Sequence, residues 1–422
     1  MNRDRYSAST LDPNKPLSLL LLGTGASSAV PLVSCVTDLE TACASCRDTT
    51  SQGAGAVSKN KRGNTGAVLR IPQMDGSEAT ILIDCGKTFR EQALRFFPGK
   101  GLRKVDACIL THHHADATGG LDDLRAWTDN AAIQRTIPIF CTRTTFEFVS
   151  AEFPYLVDKT AASGGGKLPS IEWHIMPEDK DWKICGITIT PLPVHHGVYF
   201  DKTPHEPLIC LGFLFDSSLL YMSDVSFIPE KIWALLSRKL SLPSRTGSYP
   251  TKPLPRLQAL VIDVTGLRQG RSHFGLPQAI ETSRRVGARK TYFTGICHQH
   301  SHAAFLSFSL AFEQHDCSIE AQYQGVDDQD PPPLWRVRNE GQGDRESPPF
   351  GYVYEGINFR VDDLGVWRER ALEAVEGWAG GVLPGSWTRP GVDGMTIQTM
   401  RGLSRDTDAW SRGRVWDDEY GL

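Results

Sequence analysis

Short apolar runs recur along the first three-quarters of the chain, each followed by a polar cluster or an amphipathic stretch. Runs of this kind, without strict alternation, predict strands buried on both faces. The candidates are Leu17–Leu22, Ala67–Ile71, Thr80–Ile83, Val105–Leu110, Ile137–Cys141, Ile171–Ile175, Ile187–Pro191, Leu208–Phe215, Leu219–Met222, Ala259–Val264 and Thr291–Thr294. Helical spacing marks Phe89–Phe97, Leu121–Asn130, Thr144–Phe153, Ile228–Ser237, Pro277–Val286 and Ala303–Gln314. Several strands precede the first helix, after which strands and helices mix. That order predicts sheets packed face to face with helices outside, rather than a doubly wound sheet.

Two stretches interrupt the pattern. Residues 241–255 carry four prolines, and residues 324–349 are acidic, proline-rich and poor in apolar positions. Tyr352–Val361 reads as one more strand, and Asp363–Trp378 as a helix ending at Gly380-Gly381. The expected organisation is a tail at 1–16, one domain over 17–361 with insertions at 241–255 and 324–349, and an extension over 362–422. That extension reads as a helix followed by an irregular segment.

Composition narrows the function. The 422 residues hold 45 Lys+Arg against 49 Asp+Glu, a net charge of -4. No excess of positive charge favours extended nucleic acid or an anionic membrane. The first apolar run, Leu17–Leu22, is too short to span a bilayer and lacks a basic leader, so a cytoplasmic protein is expected. Most of the ten cysteines sit singly in apolar runs. Cys35, Cys43 and Cys46 instead form a C-x7-C-x2-C cluster in a loop, and in a reducing compartment such a cluster points to zinc.

The chemistry concentrates where strands end. Thr111-His112-His113-His114-Ala115-Asp116-Ala117 follows one apolar run. Imidazole and carboxylate are the ligands that borderline divalent metals accept at neutral pH. His195-His196-Gly197, Ser223-Asp224, Asp263 and Gly295-Ile296-Cys297-His298 follow four other strand candidates. Five strand-end clusters of ligand-type residues predict one shared site at an edge of the sheets. Asp263 is suited to orienting a ligand histidine. Gly23-Thr24-Gly25 lacks the third glycine of a dinucleotide fingerprint and reads as a tight turn near the site.

Together Leu21-Leu22-Gly23-Thr24-Gly25, the THHHADA segment with Gly119-Gly120-Leu121, Pro193–Gly197, Ser223-Asp224 and Thr294–His298 resemble the metallo-β-lactamase superfamily, and within it the PhnP-type phosphodiesterase branch. The resemblance covers residues 17–316 and 352–361. It implies an α/β fold, the four-layer αββα sandwich, with a two-metal site. By motif position His112, His114 and His196 hold one metal, Asp116 and His298 belong to a second, and Asp224 bridges. Ala117 departs from the pattern, since a histidine usually stands there; His113 or His300 are the candidate substitutes. The branch also implies a structural zinc on Cys35, Cys43, Cys46 and His302. His273 takes the position of a histidine that contacts substrate phosphate or protonates the leaving oxygen.

The implied activity is hydrolysis of a small phosphodiester, cyclic ones included, by a metal-activated hydroxide that Asp116 and Asp224 orient. The implied cofactors are Zn2+ at the structural site and one or two Zn2+ or Mn2+ ions at the active site. The partner is the small phosphodiester itself, and a homodimer is compatible with the sequence. Three other readings stand beside it. A tRNA 3′-processing nuclease would need a basic arm that the net charge does not supply. A thioester hydrolase shares the fold but not the cysteine loop. A non-catalytic scaffold would follow if Ala117 cripples the site, with Trp367, Trp378, Trp387, Trp410 and Trp416 serving docking.

Overall fold

Two sheets account for nearly all the apolar runs. The computed structural model describes residues 11–38, 42–50, 58–242, 257–267, 269–306, 308–309 and 388–399, and the backbone of 415–417. The strands are Leu17–Gly23 (β1), Gly66–Pro72 (β2), Glu78–Ile83 (β3), Ala107–Ile109 (β4), Ile137–Cys141 (β5), Ile171–Ile175 (β6), Trp182–Ile184 (β7), Ile187–Val198 (β8), Pro207–Phe215 (β9), Leu219–Met222 (β10), Leu257–Asp263 (β11), Ala288–Thr294 (β12), Thr388–Pro390 (β13), Thr396–Thr399 (β14) and Val415–Asp417 (β15). One sheet runs β15-β14-β1-β2-β3-β4-β5-β6, the other β13-β12-β11-β10-β9-β8-β7. The helices are Val33–Thr37 (α1), Ala44–Thr50 (α2), Phe89–Phe96 (α3), Ala115–Thr118 (α4), Arg125–Thr128 (α5), Arg143–Glu152 (α6), Glu230–Leu240 (α7) and Leu276–Val286 (α8).

The layers follow from which faces are apolar. Leu19, Leu69 and Ile81 of the first sheet meet Phe213, Tyr221 and Val261 of the second in a core between them. The opposite face of the first sheet, with Leu20, Leu82 and Cys108, is covered by Phe89 and Ala93 of α3 and Val149 of α6. Ile232 and Leu236 of α7 and Ala279 of α8 cover Leu220, Leu260 and Ile262 of the second. Neighbouring residues of one strand thus enter different cores, which is why the sequence shows runs instead of alternation. This is the αββα sandwich. No helix among the described residues is long and apolar enough to cross a membrane.

The differences from expectation have local causes. The helix expected over 121–130 opens as a 3-10 turn over Leu121–Leu124, continues as α5 and ends where Asp129 turns extended at ψ 124°. The helix expected from Ile228 starts at Glu230, behind Pro229 at the N-cap. Residues 388–399, expected to lie in the extension, instead supply β13 to one sheet and β14 to the other. Strands of three and four residues carry too little pattern to be read; pairing with Thr291–Phe293 and Leu17–Leu20 fixes them. The expected strand at 352–361, helix at 363–378, insertion at 324–349 and most of the 241–255 insertion lie outside the described residues, as does most of the tail at 1–16.

Between β13 and β14, Asp393 reaches into the site end of the molecule. Its carboxylate accepts from the Thr24 amide (2.7 Å), the Thr24 hydroxyl (2.8 Å) and the Gly63 amide (2.7 Å). Burial pushes its carboxyl up to about 6 although those donors favour the charged form. Asp393→Ala should cost about 1–3 kcal/mol, since it leaves buried donors unpaired. A urea titration at neutral pH measures this, and an unchanged midpoint would refute the clamp.

Candidate metal centre

The turn after β4 carries the histidine cluster, and Asp84 at the end of β3 holds it. Asp84 Oδ1 accepts from the Thr111 amide at 2.8 Å, and Oδ2 from the Thr111 hydroxyl at 2.9 Å. Thr111 Oγ1 lies 2.9 Å from His112 Nδ1. Burial raises the Asp84 carboxyl well above its usual range, opposed by the two Thr111 bonds; with Asp84 ionised, the Thr111 proton goes to Asp84 and His112 donates from Nδ1. The ring therefore presents the lone pair of Nε2, and that atom is buried with no hydrogen-bond partner. Burial, aided by His196 and His114, pushes His112 well below the ordinary histidine range. It is neutral, as a ligand must be. His114 follows as the N-cap of α4, and burial with His196 and His113 lowers it to about 4.

His196 comes from the other sheet. The β8–β9 register shifts between His195 and Val198, with Gly197 at φ 74°. Such a bulge re-aims the side chains it contains. His196 Nδ1 donates to the Ser272 carbonyl at 2.8 Å, which again leaves Nε2 as the lone-pair nitrogen. One ligand atom from each of His112, His114 and His196 lies within 4.8 Å of the others, whereas His195 joins no such set among the described residues. Two buried rings with their Nε2 lone pairs free fit a divalent cation.

Asp224, just past β10, borders this cluster. Its carboxylate falls within the same 4.8 Å of a His112 atom, and of atoms of His196 and His273. Burial alone would raise Asp224, but the imidazoles around it, His196 first and His273 among them, outweigh it and hold the carboxyl down to about 2. His273 Nδ1 donates to Asp263 Oδ2 at 2.8 Å. Asp263 is buried and is held in turn by the Val225 amide (3.1 Å) and the Thr265 hydroxyl (3.1 Å). Burial disfavours a charged His273, yet Asp263, Asp224 and Asp116 override it and lift the imidazole to about 9. Asp263 thus orients His273 and none of the cluster histidines. Gly295 makes room for it: a Cβ there would stand 2.6 Å from Asp263 Oδ1.

The cysteine cluster corrects the expected ligand assignment. His298, expected at the active site, lies against the three sulfurs instead: its Nδ1 is 3.5 Å from Cys35, 3.4 Å from Cys43 and 3.8 Å from Cys46. A tetrahedron with zinc–sulfur near 2.3 Å and zinc–nitrogen near 2.0–2.1 Å separates sulfur from nitrogen by about 3.6 Å. The set therefore fits zinc. His302, expected as the fourth ligand, opens the next helical turn, its amide donating to Asn60 Oδ1 at 2.7 Å. The chain does not become helical directly after β12. Gly295 at φ 74° turns it, and the Cys297 amide donates to the Thr265 carbonyl, so His298 faces the loop at 35–46.

Two further converging sets adjoin the triad, His112 with Cys210 and Asp224, and His196 with Asp224 and His273. Asp116 belongs to none of the converging groups among the described residues, and Ala117 is buried beside it. Neither substitute reaches the place. The His113 ring stacks on Phe148 at 3.8 Å, and half-buried His300 packs edge-on to Phe305 at 5.8 Å. Sequence reasoning missed Asp84 and Asp393. Asp84 carries the same signal as the other sites, a carboxylate directly after an apolar run; Asp393 carries none.

The histidine exchange is directly testable. Cys43→Ser and His298→Ala should each release about one tightly held zinc per chain and lower the melting temperature. His302→Ala should keep that zinc. Metal analysis of the three variants checks this, and zinc lost from His302→Ala but kept in His298→Ala would reverse the assignment.

Comparison with known proteins identifies the family. A family model described as the beta-lactamase superfamily domain matches residues 79–296. The crystal structure of a new diphosphatase from the PhnP family is similar at a TM-score of 0.50 and 26% identity, over 68% of this chain and 89% of that one. The metallo-β-lactamase-fold protein YhfI from Bacillus subtilis is similar at a TM-score of 0.42 and 16% identity, over 68% and 89%. An octanoyltransferase of Porphyromonas gingivalis is 26% identical over 285 residues, 66% of this chain but only 46% of its own length. The chain belongs to the β-lactamase superfamily, as a metallo-β-lactamase-fold hydrolase of the PhnP-like branch.

Proposed function

We propose that the protein hydrolyses a small phosphodiester, cyclic ones included, with a single catalytic cation held by His112, His114 and His196 and a separate structural zinc on Cys35, Cys43, Cys46 and His298. The observation that carries this reading is the pairing of two unlike halves at one place. Three imidazoles converge on one side, and on the other stands His273, held protonated by Asp263. When bound, the cation, Zn2+ or Mn2+, supplies a Lewis acid that activates water and draws charge from phosphoryl oxygens.

The chain's own groups divide the remaining work. Asp224, with its carboxyl near 2, is too weak a base to abstract a proton at neutral pH, so its role is to orient the attacking water. Asp116 adds a second carboxylate nearby; burial raises it, and the Asp224 charge adds to that. His273 keeps one nitrogen on Asp263 and offers the proton on its other nitrogen to the departing oxygen. An alkoxide needs that proton, because it is a poor leaving group on its own. The similarity to a PhnP-family diphosphatase makes a phosphoanhydride the nearest rival substrate, since the same groups would serve it.

Leaving-group dependence tests the assignment. His112→Ala and Asp224→Ala should abolish turnover of both bis(p-nitrophenyl) phosphate and a 2′,3′-cyclic phosphate. His273→Ala should slow the cyclic ester by roughly 10²–10⁴-fold and the nitrophenyl ester much less. Equal losses on the two esters would remove the acid role from His273. Metal-loaded protein inert toward every phosphodiester would overturn the proposal.

A further inference from the structure

Arg62 is 1% exposed, and burying a charge without compensation is costly. Its side chain bonds to neutral acceptors. Nη1 donates to the carbonyls of His300 (3.1 Å) and Cys297 (3.5 Å), and Nη2 to Asn60 Oδ1 (3.2 Å). Nε is buried with no hydrogen-bond partner. No carboxylate among the described residues lies within 4.0 Å of a guanidinium nitrogen. Burial pulls Arg62 down only to about 10, so it stays charged at neutral pH. Asp393 favours that charge from a distance, and after it Cys297, Cys46 and Cys43. The Asp393 carboxylate itself is taken up by Thr24 and Gly63.

The bonds of Arg62 lead to the cysteine cluster from three directions. Both carbonyls belong to the turn that carries His298. Asn60 Nδ2 donates at 2.8 Å to Asp48 on α2, the helix that holds Cys46. The Arg62 backbone pairs both ways with Val30, with its amide on the Val30 carbonyl at 3.1 Å and its carbonyl on the Val30 amide at 2.7 Å, at the start of the loop leading to Cys35. Backbone amides also face the sulfurs, Leu32 toward Cys46 at 3.3 Å and Cys46 toward Cys43 at 3.4 Å. Such outer donors suit metal-bound thiolates. Zinc takes cysteine as thiolate and histidine as neutral imidazole, so three thiolates and one Zn2+ leave one negative charge. A site closed by four protein ligands has no position for a further ligand to offset it.

We propose that Arg62 is the counter-charge of this centre, its buried guanidinium balancing the one negative charge that three thiolates and a Zn2+ leave. The inference rests on the zinc reading of the cysteine cluster and adds a positioning residue outside the ligand set. Burial of Arg62 and occupancy of the zinc site then favour each other by the same factor. The loop after β1 and the turn after β12 are thus joined twice, by the ligands and by the charge behind them.

Cobalt(II) titration of chelator-stripped full-length protein, followed by competition with zinc, reads the cysteine site through its thiolate-to-cobalt absorption, which imidazoles alone do not give. Arg62→Gln keeps amide donors but drops the charge, and should hold zinc roughly tenfold or more weakly. Arg62→Lys keeps the charge and should hold it more tightly than Arg62→Gln does. The gain in melting temperature on adding zinc should shrink in Arg62→Gln and persist in Arg62→Lys. A purely structural role for the carbonyl bonds would lower the melting temperature equally with and without zinc and leave the affinity unmoved; that result overturns the proposal. Should Arg62→Gln not fold alone, Cys43→His/Arg62→Gln, which removes one charge from each side, should fold and bind zinc. A double variant no better than the single would equally overturn it. Unaltered protein lacking the thiolate band would sink the zinc reading itself, whereas equal zinc affinity in unaltered protein and Arg62→Gln sinks only the counter-charge.

Discussion

The centre depends on an imidazole being held neutral, buried and correctly oriented at once. His112 meets all three demands through Thr111 and Asp84. The hydroxyl of Thr111 gives its proton to Asp84 and so takes one from His112 Nδ1, which fixes the tautomer. Without that chain the ring could turn its protonated nitrogen toward His114 and His196, and no cation would bind. A buried acceptor lacking a partner costs about 1–3 kcal/mol. The fold accepts that cost at His112 Nε2, at the point where the histidines of two separate sheets converge.

Everything else serves to bring that point together. The face-to-face sandwich sets the end of β4 opposite the ends of β8, β10 and β11, so ligands from distant sequence arrive on short turns. Long-range clamps keep those turns in place. Asp393 ties the Thr24 and Gly63 turns, and buried Arg62 reaches the His300 carbonyl at 3.1 Å. The cysteine cluster joins the loop after β1 to the turn after β12. A zinc there would stiffen the same end of the molecule that carries the catalytic groups. Under this reading the two candidate sites differ in kind: four protein ligands would close one, whereas three imidazoles would leave a position of the other for substrate.

Most of the sandwich was legible in the sequence because its strands are buried on both sides and appear as unbroken apolar runs. The strand-end clusters were legible for a related reason, since ligand-type residues stand out directly after such runs. What escaped was whatever depends on local turning. Spacing alone could not tell whether His298 or His302 would face the cysteines, because the answer lies in the φ of Gly295 and one bond from Cys297 to Thr265. β13 and β14 were too short to leave a pattern.

Anomalous diffraction from crystals of the zinc-loaded protein, with data on both sides of the zinc edge, tests the account most directly. Two peaks should appear, one among His112, His114 and His196 and one among Cys35, Cys43, Cys46 and His298. Density missing from the histidine triad, or a further strong peak beside Asp116, would contradict a centre built on a single cation.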